Sequence, residues 1–242
     1  MSVSTIFCRC LVTKLKLGFF LSPTRCVETF AALRNAGGKD VDIGIDFHGA
    51  ISPQNAKLLI KGLEPYQPMF IEEPVQCQNV EAMVEIARGT HLPIATGERA
   101  HSMEEIRGFI EGGLVDVVQV DLTHFGGFLP MKRLAGWADA YSLLLAPHNV
   151  CGPVGTMANL HLAVATPNYK VLEHFNDFAD AWVHELVDHS PRIDRRDGCF
   201  VAPTRPGLGL KLNHDQCRRH PRTGGRIRLF EEGWERRRES GS

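Results

Sequence analysis

Val115-Asp-Val-Val-Gln-Val-Asp121 is a run of β-branched residues that stops at a carboxylate, with Gly112-Gly113 before it and Gly126-Gly127 after. It is too short and too valine-rich for a helix and reads as a buried strand. Working outward, the same arrangement recurs. Upstream, short apolar runs end at Glu98 (after Pro93-Ile-Ala-Thr-Gly), Glu72 (after Pro68-Met-Phe-Ile) and Asp46 (after Val41-Asp-Ile-Gly-Ile). Downstream they end at His148 (after Leu143-Leu-Leu-Ala-Pro) and Glu173 (after Tyr169-Lys-Val-Leu). The steps are 23 to 27 residues, the period of successive strand–helix units.

The intervening segments fit helices. Residues 24–36 place Val27, Phe30, Ala31 and Leu33 at helical spacing before Gly37-Gly38, and Ser52-Pro53 opens a second helix with proline at its first position. Further helices are expected over about 79–88, 102–111, 129–140 and 154–164, alternating with strands at 41–46, 68–72, 93–97, 115–121, 143–147 and 169–173. Continuous apolar runs between amphipathic helices mark a parallel sheet covered on both faces. The expected fold is α/β, a (β/α) TIM-type barrel with about six recognisable units. In such a barrel the strand C-termini open on one face, so the six polar side chains would converge there.

Length and composition agree. The chain has 242 residues, 43% apolar and 23% charged, enough for one barrel. A net charge of −1 gives no reason to expect nucleic acid or a membrane surface as partner. Seven scattered cysteines without a CxxC pair favour a reducing, cytoplasmic setting and free thiols. Residues 1–23 read as an atypical N-terminal segment with no acidic residue, too often interrupted by Arg9, Lys14 and Lys16 for a membrane span. Residues 174–200 look polar and irregular, and 214–242 form an Arg/Glu-rich tail whose default reading is solvated and partly disordered. No GxGxxG follows a strand, so a dinucleotide binder is excluded. Gly126-Gly127 and Gly152-Pro-Val-Gly155 read as turns or as backbone contacts to a substrate carboxylate.

Asp46, Glu72 and Glu98 end three consecutive strands and would repel one another in a barrel mouth. A divalent cation resolves this, and all-oxygen ligation suits Mg2+. Asp121 and His148 end the next two strands. An aspartate holding the far nitrogen of a histidine fixes its tautomer and makes it a general base.

The segments Asp46-Phe-His48-Gly49, Phe70-Ile-Glu72-Glu73-Pro74, Thr96-Gly97-Glu98-Arg99, Gln119-Val-Asp121-Leu-Thr-His-Phe-Gly126-Gly127, Ala146-Pro147-His148 and Leu172-Glu173-His-Phe resemble the barrel of the mandelate racemase branch of the enolase superfamily. Acid-sugar dehydratases of the D-galactonate dehydratase type are the nearest likeness, over residues 24–213. The resemblance implies Asp46, Glu72 and Glu98 as Mg2+ ligands, His148 as the base that removes the proton next to a substrate carboxylate, and Asp121 as its partner. It also implies Glu173 as the acid that hydrogen-bonds the developing enediolate, and His48 as the acid for the departing 3-hydroxyl. A sugar-acid substrate, a 2-keto-3-deoxy product and a homo-oligomer are the corresponding expectations.

Two features depart from that pattern. The capping domain and first two barrel strands of the family are not recognisable ahead of residue 24, so the expected barrel is incomplete at its N-terminus. Ala100-His-Ser follows Arg99 and Ala50 follows Gly49, where the family pattern has other residues near the substrate hydroxyls. A truncated, inactive member, or a racemase or epimerase on the same scaffold, stand as alternatives.

Overall fold

The computed structural model describes residues 5–6, 23–194 and 198–221. In chain order these form β1 (Thr5–Ile6), α1 (Pro23–Gly37), β2 (Ile45–Asp46), α2 (Pro53–Leu63), β3 (Ile71–Glu72), α3 (Val80–Gly89), β4 (Ile94–Thr96), α4 (Met103–Glu111), β5 (Val117–Val118), α5 (Phe128–Ala140), β6 (Leu144–Leu145), α6 (Pro153–Val164), α7 (Ala181–His184), β7 (Ile193–Asp194), β8 (Cys199–Val201) and α8 (His214–Arg219).

Local chemistry sets the helix starts. Ser52, Asn79 and Ser102 each accept a backbone N–H from the first turn of the helix that follows, at 3.3, 3.1 and 3.4 Å. Caps of this kind contribute about 1 kcal/mol each. Proline occupies the first turn of α1, α2 and α6, where its missing N–H costs nothing.

β2 to β6 form one parallel sheet in sequence order, the product of consecutive strand–helix units. A sixth position joins through the parallel bridge Leu145↔Tyr169, with Lys170 N–H donating to the Leu145 carbonyl at 2.7 Å. This is the TIM-type arrangement the sequence leads one to expect. The regular ladders span only two or three residues, yet hydrogen bonds continue past them. Phe47 N–H reaches Glu72 O at 2.9 Å, Glu73 N–H reaches Ala95 O at 2.9 Å, and His148 N–H reaches Gln119 O at 3.2 Å. Interstrand pairing therefore continues into the polar strand ends.

Alternation along each strand separates two cores. Ile43, Ile45, Ile71, Ile94, Val118, Val120 and Leu145 face the helices and join the main apolar cluster. Phe70, Ala95, Val117, Ala146 and Val171 form a second cluster on the opposite face of the sheet. A sheet with an apolar cluster on each side is what a curled barrel requires. Gly44 belongs to the inner face, where a Cβ would meet the Phe70 ring at 2.7 Å.

Toward the end of the region expected to be irregular, β7 and β8 join β1 in a second sheet, of order β1-β8-β7 and antiparallel throughout. Its strands are two or three residues long and pair Thr5 with Val201, a partnership no local pattern announces. The first residues of the Arg/Glu-rich tail form α8; residues 222–242, and residues 1–4 and 7–22 of the N-terminal segment, lie outside the described residues. Among the described residues, no helix is long and apolar enough to cross a membrane.

Candidate active site

The polar strand ends gather at one rim, in two halves. In the first, Asp46 and Glu72 sit side by side in register on β2 and β3, each 1% exposed. Glu98, just beyond β4, is 9% exposed. Asp46 Oδ1 accepts the backbone N–H of His48 at 2.7 Å, closing a tight turn in which His48 takes the left-handed φ of 54°. That turn, rather than strand alternation, brings the imidazole back over the rim. His48 Nδ1 lies 3.3 Å from Asp46 Oδ2, 3.4 Å from Glu98 Oε1 and 3.8 Å from Glu73 Oε2.

Glu73 is a residue the sequence reading passed over. It has φ 40° and is 1% exposed, and both of its oxygens accept from Arg99 Nε at 3.0 and 3.1 Å. Burial pushes its carboxyl up and the Glu98 charge adds to this, while Arg99 and His48 oppose, leaving it at about 7. The doublet Glu72-Glu73 before a proline was the available signal: two adjacent side chains cannot both follow strand alternation to the same face. One must turn, and the strained backbone at Glu73 is that turn.

Ligand atoms of His48, Glu73 and Glu98 lie within 4.8 Å of one another, which makes this a candidate metal cluster. Glu98 is common to this group and to the sequence-derived set of Asp46, Glu72 and Glu98. The donor chemistry fits a hard divalent cation. Among the described residues, four buried carboxylates (Asp46, Glu72, Glu73, Glu98) share this part of the rim with the Arg99 guanidinium and the His48 imidazole.

The second half holds His148 and Asp121. His148 Nδ1 is 2.8 Å from Asp121 Oδ2, and the His148 side chain is 12% exposed. Asp121 Oδ1 accepts from the Thr123 backbone at 2.7 Å and the Thr123 hydroxyl at 2.6 Å. Burial alone would raise Asp121, but the hydrogen bonds from His148 and Thr123 win and hold it at about 2. An aspartate ionised at every ordinary pH requires Nδ1 of His148 to carry the proton, which leaves Nε2 as the basic nitrogen.

Glu173 is tied to the same region, its Oε2 accepting the backbone N–H of Asn149 at 2.9 Å. His124 and His101, which the sequence reading did not single out, lie next to His148 in turn. The ring centroids of His124 and His148 are 6.3 Å apart, and those of His101 and His124 are 5.7 Å apart. Cys151 Sγ lies 3.3 Å from the Thr123 hydroxyl, and burial pushes its thiol up. The Gly152–Gly155 segment starts α6; a Cβ on Gly155 would meet Cys151 Cβ at 2.4 Å, so this glycine serves close packing.

Residues 9–216 match the family profile described as "Enolase C-terminal domain-like". Solved structures resemble the chain closely. A mandelate racemase/muconate lactonizing enzyme from Jannaschia sp. CCS1 is 35% identical over 86% of this chain and 52% of its own, with a TM-score of 0.79. A protein from Salmonella enterica serovar Typhimurium, provisionally assigned as a dehydratase, is 33% identical over 84% of this chain and 50% of its own, with a TM-score of 0.76. An enolase from Pantoea ananatis, solved with bound D-gluconate and Mg, is 29% identical over 91% of this chain and 53% of its own, with a TM-score of 0.77. The chain thus spans about half the length of the solved structures it matches.

Proposed function

The chain belongs to the enolase C-terminal domain-like family, and from that premise we propose that it carries the acid–base and metal-binding residues of a Mg2+-dependent acid-sugar dehydratase, a lyase of the D-galactonate dehydratase type. The observation that carries this reading is the His148–Asp121 pair at 2.8 Å on the rim that also holds the buried carboxylates Asp46, Glu72 and Glu98. Asp46, Glu72 and Glu98 are the proposed ligands, with Glu73 held back by Arg99. When bound, Mg2+ supplies electron withdrawal from the substrate carboxylate, which makes the neighbouring C–H more acidic.

His148 Nε2 takes the proton from C2, while Asp121 holds the Nδ1 proton in place and offsets the charge that develops on the ring. Glu173 hydrogen-bonds the carboxylate oxygen on which negative charge accumulates. His48 keeps Nδ1 toward Asp46 and Glu98, so its Nε2 edge is the one that donates a proton to the departing 3-hydroxyl. Water leaves, and the enol product tautomerises to a 2-keto-3-deoxy acid. A base, two acids and a carboxylate-lined cation site are the minimum set for this elimination. A solved relative with D-gluconate and Mg bound, and another provisionally assigned as a dehydratase, support the choice of substrate class.

The test uses the full chain with Mg2+ and a panel of aldonates that includes D-gluconate and D-galactonate. Formation of 2-keto acid is followed by its semicarbazone absorbance, and C2-proton exchange by NMR in D2O. Product formation that His148→Ala abolishes supports the reading. C2 exchange without loss of water would replace elimination by racemisation or epimerisation. Neither exchange nor product, with Mg2+ bound, would leave a catalytically inactive family member.

A further inference from the structure

A buried amide network joins the segment carrying His148 to the segment carrying Glu173, and the acid–base scheme uses none of it. Asn149, Thr156 and Asn159 are fully buried, and Asn176 nearly so. Asn149 grips Glu173 at two points: its backbone N–H donates to Oε2 at 2.9 Å, and its side-chain Nδ2 donates to the Glu173 main-chain carbonyl at 2.9 Å. The same Nδ2 donates to the Thr156 hydroxyl oxygen at 3.1 Å. Asn176 Nδ2 donates to that oxygen from the other side at 3.0 Å. Asn159 Nδ2 donates to the Gly155 carbonyl at 3.1 Å and reaches Asn149 Oδ1 at 3.4 Å, fixing which way the Asn149 amide faces.

Polar side chains so deeply buried are costly unless paired, and an apolar residue at 149 would fill the space while leaving the Glu173 carbonyl without this donor. We propose that Asn149, oriented by Thr156 and Asn159, is a positioning residue that sets the placement of Glu173 relative to His148. Asn149 is the chain neighbour of His148, so one rigid joint places both groups. This inference rests on the reading of His148 as base and Glu173 as acid.

The test separates hydrogen bonding from packing. Thr156→Val keeps the shape and removes the hydroxyl acceptor, whereas Thr156→Ser keeps the hydroxyl and removes a methyl. In the Mg2+-loaded full chain on its active aldonate, Asn149→Ala is expected to lower kcat roughly 10- to 100-fold, the scale of a small misplacement of a catalytic group. KM should stay within about threefold. Thr156→Val should lower kcat more than Thr156→Ser, and hydrogen exchange at the Asn149 amide, a readout independent of turnover, should speed up about tenfold in Thr156→Val alone. If Val is tolerated and Ser is not, the network is packing and the proposal fails. Unchanged kcat in Asn149→Ala, or a loss confined to KM, also overturns it. Should Asn149→Ala not fold, the Thr156 pair decides. A wild-type chain without turnover defeats the base-and-acid reading and the catalytic part of this inference together. Normal wild-type turnover with indifferent variants defeats the inference alone.

Discussion

Asp121→Asn probes the centre of the proposed site. Asp121 is fully buried, accepts from Thr123 through Oδ1 and is bound to His148 Nδ1 through Oδ2. Its carboxyl is held at about 2 against an ordinary 3.8, a difference corresponding to about 2 kcal/mol in favour of the folded chain. Because the folded-state value is depressed, that stabilisation is fully present above about pH 4 and is lost as pH falls from about 4 toward about 2. Asparagine keeps an oxygen for Thr123 but turns an NH2 toward His148, so Nδ1 must become an acceptor and the proton moves to Nε2. The base is then lost with little change in shape. Two results are expected. Urea unfolding at pH 7 should show the variant about 2 kcal/mol less stable, with the gap closing as pH falls from about 4 toward about 2. In the Mg2+-loaded assay kcat should fall by roughly 10²–10⁴ with KM little changed. Parallel stability curves across that pH window, or a variant with wild-type kcat, would refute the assignment of Asp121 as the ionised partner of His148.

Two further outcomes test the cation site and the inner core. Mg2+ at about 100 times its dissociation constant should raise the free energy of unfolding by about 2.7 kcal/mol, and chelation should reverse this; in Glu98→Gln the same addition should have little effect, read by thermal unfolding with and without EDTA. Gly44→Ala should destabilise by about 1–3 kcal/mol in urea titration, because the new methyl comes 2.7 Å from Phe70 Cε2 and 3.0 Å from Cζ. An effect under about half a kcal/mol would mean that the inner face is not close-packed there.

The period of apolar runs ending at Asp46, Glu72, Glu98, Asp121, His148 and Glu173 was enough to specify the parallel α/β architecture. Strand order follows chain order when each crossover is one local strand–helix unit. Helix boundaries were equally legible, since Ser52, Asn79, Ser102 and the prolines act on their own first turns. The Asp121–His148 pairing was legible too, because register on adjacent strands turns sequence spacing into proximity.

What the sequence could not decide depends on contacts between distant residues or on backbone that leaves the strand pattern. Glu73 escaped notice because its turn and its bond to Arg99 exist only once β3 and β4 lie side by side. His48 reaches the carboxylates through a left-handed turn, which alternation along a strand does not describe. The β1-β8-β7 sheet pairs residues almost two hundred positions apart. The Asn149–Thr156–Asn176 network likewise forms only when α6 packs behind the last strand position. Local periodicity is written in neighbouring residues and survives in any reading of the chain; the aim of each functional side chain is fixed by partners that only folding brings within hydrogen-bond range.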